Sequence, residues 1–431
     1  MGLNRAKARF IKKLNGMRKV VFLILIIMLP VFACSTQQNR DGKTKKLMKQ
    51  SEGNTYSEDK SFLKNYCDVI ELNNGNAKVL LSKNYQGRVF TSTATGDKGL
   101  SFGWINYNLF KSGKVSTQFN PYGGEERLWL GPEGGPFSIY FEKGKEQIFE
   151  NWVVPKELDV LAFDVVRKTP QSVSFQKEFT LKNYTGTILN IGIERNVKLL
   201  DPQEVENALN CPIDKSLKYV AYESENILIN KGVTEWNKQT GVLSLWILSQ
   251  FNPSPVGVVF IPFKKGMGNE LGKIVTDNYF GKVPADRLLI KDGVIYFKID
   301  GKYRSKIGVH PKFALPYCGS YDGQKQVLTL LWFSIPKEPS EYVNSKWGNQ
   351  DPFKGDVVNS YNDGPVEDGS IMGPFYEIES SSPAAYLSPG QKIIHTQRIF
   401  HITGDEKELS LITEKLFNLT ITEIKEAFTQ N

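Results

Sequence analysis

Apolar and polar residues alternate with a period of two along much of the chain, the spacing of a strand that buries one face. Val173 and Phe175, then Phe179 and Leu181, fall on one side of such a segment; Asn183-Tyr184-Thr185-Gly186 supplies a turn, and Leu189, Ile191 and Ile193 resume the pattern. This predicts a β-hairpin. Val256 to Phe263 and Val327 to Phe333 are instead unbroken apolar runs, the second preceded by the turn Tyr321-Asp322-Gly323, and predict strands buried on both faces. Strand follows strand from about Phe62 to Phe400 with no repeat of fixed period, and an aromatic content of 12% suits a β core. Helical spacing is confined to the end. Thr403-Gly404-Asp405-Glu406 reads as a capping box ahead of Leu409, Ile412 and Leu416, and Thr420-Ile421-Thr422-Glu423 opens a second short helix. Lys346 to Gly373, rich in Gly, Asn, Asp and Pro, has little periodicity and reads as a long loop of the kind that carries function.

The first 33 residues break the pattern. Lys12, Lys13, Arg18 and Lys19 precede an apolar run from Val20 to Phe32, too short for a membrane span but the length of a signal-peptide core. Val31-Phe32-Ala33 before Cys34 resembles the lipobox of bacterial lipoproteins, which implies lipidation of Cys34 and anchoring to the membrane of the cell envelope, with Ser35 favouring the outer membrane. The leader carries seven cations and no acid, so most of the formal charge of +8 belongs to it. What remains lacks the clustered Lys and Arg of a nucleic-acid face. Residues 34–61 are polar and read as a flexible tether, 62–402 as one large β domain and 403–431 as the C-terminal helices.

Cys67, Cys211 and Cys318 are far apart and form no CxxC pair, and His310, His395 and His401 have no HExxH spacing, so no metal site and no cofactor are expected. The densest chemistry lies in Gly123 to Phe141, GGEERLWLGPEGGPFSIYF. If extended, this stretch puts Arg127 and Trp129 on one face with Leu128 and Leu130 on the other. A planar donor fork beside an indole suits a sugar ring, whose hydroxyls pair with charged groups and whose C–H face stacks on the aromatic. A structural ion pair of Arg127 with Glu125 or Glu133 under a capping tryptophan is the plainer alternative. Trp104 and Asn106 share a strand face and offer stacking and an amide; Lys306 offers a cation to Glu133 or to a ligand carboxylate.

Several stretches recur in one order: Gly87-Arg88-Val89, Ser101 to Asn106, Gly123 to Glu133, Lys306 to Val309, and Phe375 to Glu379 leading to Leu387-Ser388-Pro389-Gly390. This order resembles the galactose mutarotase-like superfamily of aldose epimerases and sugar-binding relatives, over residues 64 to 402, and within it a branch of bacterial lipoproteins with no established activity. The resemblance implies an all-β fold, a large antiparallel β-supersandwich, with a carbohydrate ligand. It also implies a catalytic base at Glu379, with Glu377 on the same strand face and Glu133 in the cleft. The histidine that donates the second proton in such epimerases has no counterpart: the middle region, Leu243 to Pro253, offers only Gln250 and Asn252, which hydrogen-bond but do not act as acids. His310 is the remaining histidine candidate for that role. A lipid-anchored sugar-binding protein is therefore the first expectation. An epimerase, lyase or hydrolase that pairs Glu379 with Glu125, Glu126 or Glu133 is the second, and a non-catalytic structural envelope protein the third.

Overall fold

The computed structural model describes residues 53–265, 274–366 and 369–429. The expected signal peptide, Cys34 and most of the tether lie outside the described residues. The described chain forms three antiparallel sheets of three, ten and six strands, with short helices at the C-terminal end.

The predicted hairpin is present as Ser172–Lys182 and Ile188–Leu199, paired from Ser172 opposite Lys198 to Lys182 opposite Ile188. Its turn is held by Asn183, whose buried side-chain oxygen accepts from the backbone N–H groups of Gly186 and Thr187, as asparagine turns do. Both apolar runs lie inside the ten-stranded sheet. Gly257–Pro262 runs between Val294–Lys298 and Tyr317–Asp322, and Val327–Phe333 runs between Tyr317–Asp322 and Lys392–Thr403. Apart from Thr329, which bonds Nδ1 of His401, they are apolar because one face meets the six-stranded sheet and the other is covered by the C-terminal helices, which pack on Phe260, Leu328 and Leu330.

The main core fills the space between the two large sheets, with Ile247, Ile307 and Ile378 from one side and Val197, Leu331 and Ile399 from the other. A buried polar network crosses this core. Arg195 pairs with Glu126 at 2.7 Å and also donates to Asn226 and to the carbonyl of Gly87. Gln397 donates to the second oxygen of Glu126 and to Ser249, and Ser380 links Gln397 to His395. Glu125 accepts from Ser92 and from Nε2 of His401, whose ring stacks on Phe102. Ions buried this deeply persist only when paired. Glu125 and Glu126 are therefore spent on holding the sheets together and are not partners of Arg127 or of Glu379.

Several boundaries differ from the sequence reading. The folded chain begins before Phe62: Thr55 and Glu58 form a capping box on the helix Tyr56–Leu63, whose Tyr56 and Leu63 are buried and whose first N–H groups bond to Gly99 and Asp97. Helices are not confined to the end, since Pro202–Leu209 is opened by an Asp201–Glu204 capping box with proline at its first position. The helix Glu406–Phe417 is capped by Asp405 rather than Thr403, because the strand Lys392–Thr403 runs on through that threonine. The long segment after Lys346 contains a fully buried strand, Val358–Asn362, paired on both edges.

Replacing Arg195 by methionine strands Glu126 as an unpaired buried charge and is expected to cost about 3–5 kcal/mol in urea unfolding, whereas R195M combined with E126Q should recover most of the loss. Equal losses in the single and double variants would show that the pair is not what the site depends on.

Candidate functional site

The six-stranded sheet runs in the order Val275–Thr276, Ser305–Val309, Val358–Asn362, Tyr376–Ser381, Ser244–Phe251, Arg127–Gly131. Alternation along these strands sends Leu128, Ile247, Ile378 and Ile307 into the core and leaves the opposite face to polar and aromatic residues. Register then sorts that face into rows. Lys306, Tyr361, Glu377 and Gln250 lie side by side; Glu379, Leu248 and Arg127 form the next row, and Trp246 faces Trp129 in the third. The ion pairs run diagonally between rows, the reach expected of long side chains. Arg127 Nη2 donates to Glu377 Oε1 at 2.8 Å, and Lys306 Nζ donates to Glu379 Oε2 at 2.8 Å. Trp246 Nε1 donates to the same oxygen of Glu379 at 2.9 Å.

Loops raise aromatic walls around this floor: Phe119, Phe149, Trp152, Phe280, Trp347 and Phe375 enclose a cleft of about 80 Å³. Trp152 and Trp347 stack at 6.3 Å, Trp129 meets Trp246 edge-on at 5.6 Å, and the Arg127 guanidinium lies 4.3 Å over the Trp129 ring.

The floor is not satisfied by protein alone. Arg127 Nε and Nη1, Glu379 Oε1, the indole N–H groups of Trp129 and Trp152, and both amide atoms of Gln250 are buried without a hydrogen-bond partner. Of these residues Arg127, Trp129 and Trp152 line the cleft, and because buried polar groups are normally paired, their unpartnered atoms mark groups that a ligand or water completes.

The electrostatics are as crowded. Burial pushes the Glu133 carboxyl up to about 7, with Lys306 opposing and Glu379 adding to the rise. Burial also pushes Glu377 up to about 7; Arg127 holds it down and Glu379 raises it further. Burial alone would lower the Lys306 ammonium, but Glu379, Glu133 and Glu377 outweigh it and hold the group above its ordinary value.

Among the residues singled out in the sequence, Arg127, Trp129, Glu133, Lys306 and Glu377 line the cleft, and Glu379 lies in its floor through Lys306 and Trp246. Gln250 is buried beside Glu377 on the same face. The others are placed elsewhere. Trp104 packs behind the cleft wall against Phe375, and Asn106 is occupied as the N-cap of the helix Tyr107–Ser112. Asn252 donates to backbone carbonyls of Phe102 and Gly103. His310 stands at the end of the strand Ser305–Val309, outside the cleft wall, with Nδ1 accepting from the N–H of Lys312. Burial lowers its basicity, and its place outside the cleft lining removes the reason to assign it as the acid.

Trp246, Arg304, Trp347 and Tyr361 also line the cleft and escaped the sequence reading. Trp246 was within reach of it, because it lies four residues from Gln250 and so shares its strand face. Trp347 and Tyr361 fall inside the segment after Lys346 that was read as functional, although one of them sits on a strand.

Fold and site together define an antiparallel β-sandwich protein with an aromatic, charged cleft on the outward face of its smaller large sheet. The chain belongs to DUF6786, a family of unknown function, whose model matches residues 54–428. No curated protein matches it. Among solved structures it is similar to the Slr1438 protein of Synechocystis, at 11% identity and a TM-score of 0.48 over 79% of this chain and 98% of that one. It is also similar to a galactose mutarotase-like protein of Lactobacillus casei, at 10% identity and a TM-score of 0.43 over 78% and 100%. A galactose mutarotase related enzyme of Lactobacillus acidophilus matches at 10% identity and a TM-score of 0.43 over 78% and 97%.

Glu133 keeps its proton in the folded chain to about pH 7, where an unfolded glutamate has released its proton. The folded state therefore binds more protons between about pH 4.5 and 7; the contribution is full below that window and is lost as the pH rises through it. Glu133→Gln removes that group, so the stability of the variant relative to wild type should increase from pH 4.5 to pH 7.5 in paired denaturant titrations. A difference independent of pH would show that Glu133 titrates as an ordinary carboxyl.

Proposed function

We propose that this protein is a lipid-anchored, carbohydrate-binding component of the bacterial cell envelope whose cleft holds a sugar. The observation that carries the reading is the set of unpartnered buried donors that line the cleft, on Arg127, Trp129 and Trp152, among walls of tryptophan and phenylalanine. A pyranose presents that combination in reverse, hydroxyls at its edge and C–H groups on its faces, and stacking on indole with charge-assisted hydrogen bonds at the rim is the economical way to hold it. The lipobox-like Val31-Phe32-Ala33-Cys34 supports anchoring through the acylated cysteine.

Binding without turnover is the primary reading. A second, an enzyme acting on sugars, is favoured by one feature of the cleft. Glu133, its carboxyl pushed up to about 7 by burial, lies beside Lys306 and Glu379, so a proton donor is available where the histidine of the epimerases is missing.

Trp347 is partly buried at the edge of the core, and Trp347→Ala should weaken binding of a sugar identified on a broad glycan array by about 1–3 kcal/mol, measured well below the thermal unfolding of the variant. If the protein turns sugars over, Glu379→Gln should abolish product formation while affinity stays within a few-fold; if it only binds, no substrate is consumed by either form. Failure of every glycan to bind would remove the sugar reading and leave the structural one. For the anchor, Cys34→Ala should abolish incorporation of labelled palmitate and release the protein from the membrane fraction; a variant still labelled and sedimenting would end the lipoprotein assignment.

A further inference from the structure

One cation of the cleft lacks a direct carboxylate partner among the described residues. Arg304 immediately precedes the strand Ser305–Val309, lines the cleft and is half-buried. Its guanidinium lies 3.9 Å over the ring of Phe280, and its Nε donates to the hydroxyl of Tyr361 at 3.3 Å. Tyr361 in turn donates to Asp363, whose other carboxylate oxygen accepts from the N–H of Gly373. Asp363 thus steadies Tyr361 and the loop, with both oxygens occupied. Arg304 forms no ion pair among the described residues, in contrast to Arg127 with Glu377 and Lys306 with Glu379. Among the described residues only its Nε is engaged, which leaves both terminal nitrogens without a hydrogen-bond partner there.

Charge points the same way. The cations of the cleft are Arg127, Arg304 and Lys306 and its acids are Glu133, Glu377 and Glu379. Glu377 and Glu379 are engaged by Arg127 and Lys306, while Glu133 and Asp363 act on Arg304 through space, Asp363 by way of Tyr361, and neither makes a direct ion pair with it. On the other side of the floor Arg127 keeps Nε and Nη1 unpartnered. A fixed guanidinium fork of this kind matches a carboxylate, or the oxygens of a sulfate or phosphate ester, through two parallel hydrogen bonds, and stacking removes the flexibility that would otherwise be lost on binding.

We propose that the saccharide held by this cleft carries an anionic substituent, a uronate carboxylate or an ester sulfate or phosphate, and that Arg304 is the residue that selects it. The inference rests on the carbohydrate reading and narrows it to acidic sugars.

The test uses the full chain in detergent and titration calorimetry with three sets of oligosaccharides matched in ring size: neutral, uronate-bearing and sulfated or phosphorylated, with sodium sulfate alone as a control. The expected result is binding of at least one acidic set roughly tenfold or more tighter than the neutral set, with an advantage that shrinks as salt is raised. Arg304→Met keeps an unbranched chain over Phe280 and should erase that advantage, so that the acidic and neutral sets bind the variant alike. Preference between the uronate and ester sets identifies the anion. Neutral sugars that bind as tightly as acidic ones, or an R304M variant that keeps the preference, would overturn the proposal and leave sugar binding standing. Binding of sulfate alone, or of no saccharide at all, would overturn both.

Discussion

The cleft depends on the diagonal ion pair between Arg127 and Glu377, whose partners stand 250 residues apart in the chain and 2.8 Å apart in space. Neither charge could remain on a nearly dry sheet face without the other. The pair forms only when Ser244–Phe251 lies between the two outer strands in correct register, so it reports the assembly of the whole sheet. Once formed, it satisfies one terminal nitrogen of Arg127 and leaves its other N–H groups turned to the hollow. Structure and recognition thus draw on one guanidinium.

Three consecutive residues show how finely the chain separates these roles. Glu125 meets His401 and Ser92, Glu126 meets Arg195 and Gln397, and Arg127 meets Glu377. The first two lie in the crossing network of the core and the third on the floor of the cleft. From composition, Glu125, Glu126 and Glu133 were interchangeable candidates for a catalytic acid. Only Glu133 stands where such chemistry is possible, because the other two were consumed in the core.

Much of the architecture was legible because strand periodicity is local: the hairpin around Asn183 and the two apolar runs announce themselves within a dozen residues. The face shared by Arg127 and Trp129 follows from the same alternation. What was not legible depends on packing between segments. Asn106 is the residue type that binds a hydroxyl or caps a helix, and the choice was decided by a helix of only six residues that periodicity does not reveal. His310 offered the right chemistry at the wrong place, since one position past the strand end moves it outside the cleft wall. Thr55 and Glu58 carried a readable capping signal that polar composition around them concealed.

The rows of the six-stranded sheet have a further consequence, for how this cleft can diversify. Because neighbouring residues on a strand face opposite sides, the gain or loss of one residue between Gly124 and Gly131 would turn Arg127 inward and Leu128 outward, exchanging core for cleft at once. Length variation is therefore barred from the floor and open to the loops that bear Phe149, Phe280 and Trp347. Related chains should keep the spacing of their floor strands while their aromatic rims lengthen, shorten and change in composition, so that one charged platform serves ligands of different outline.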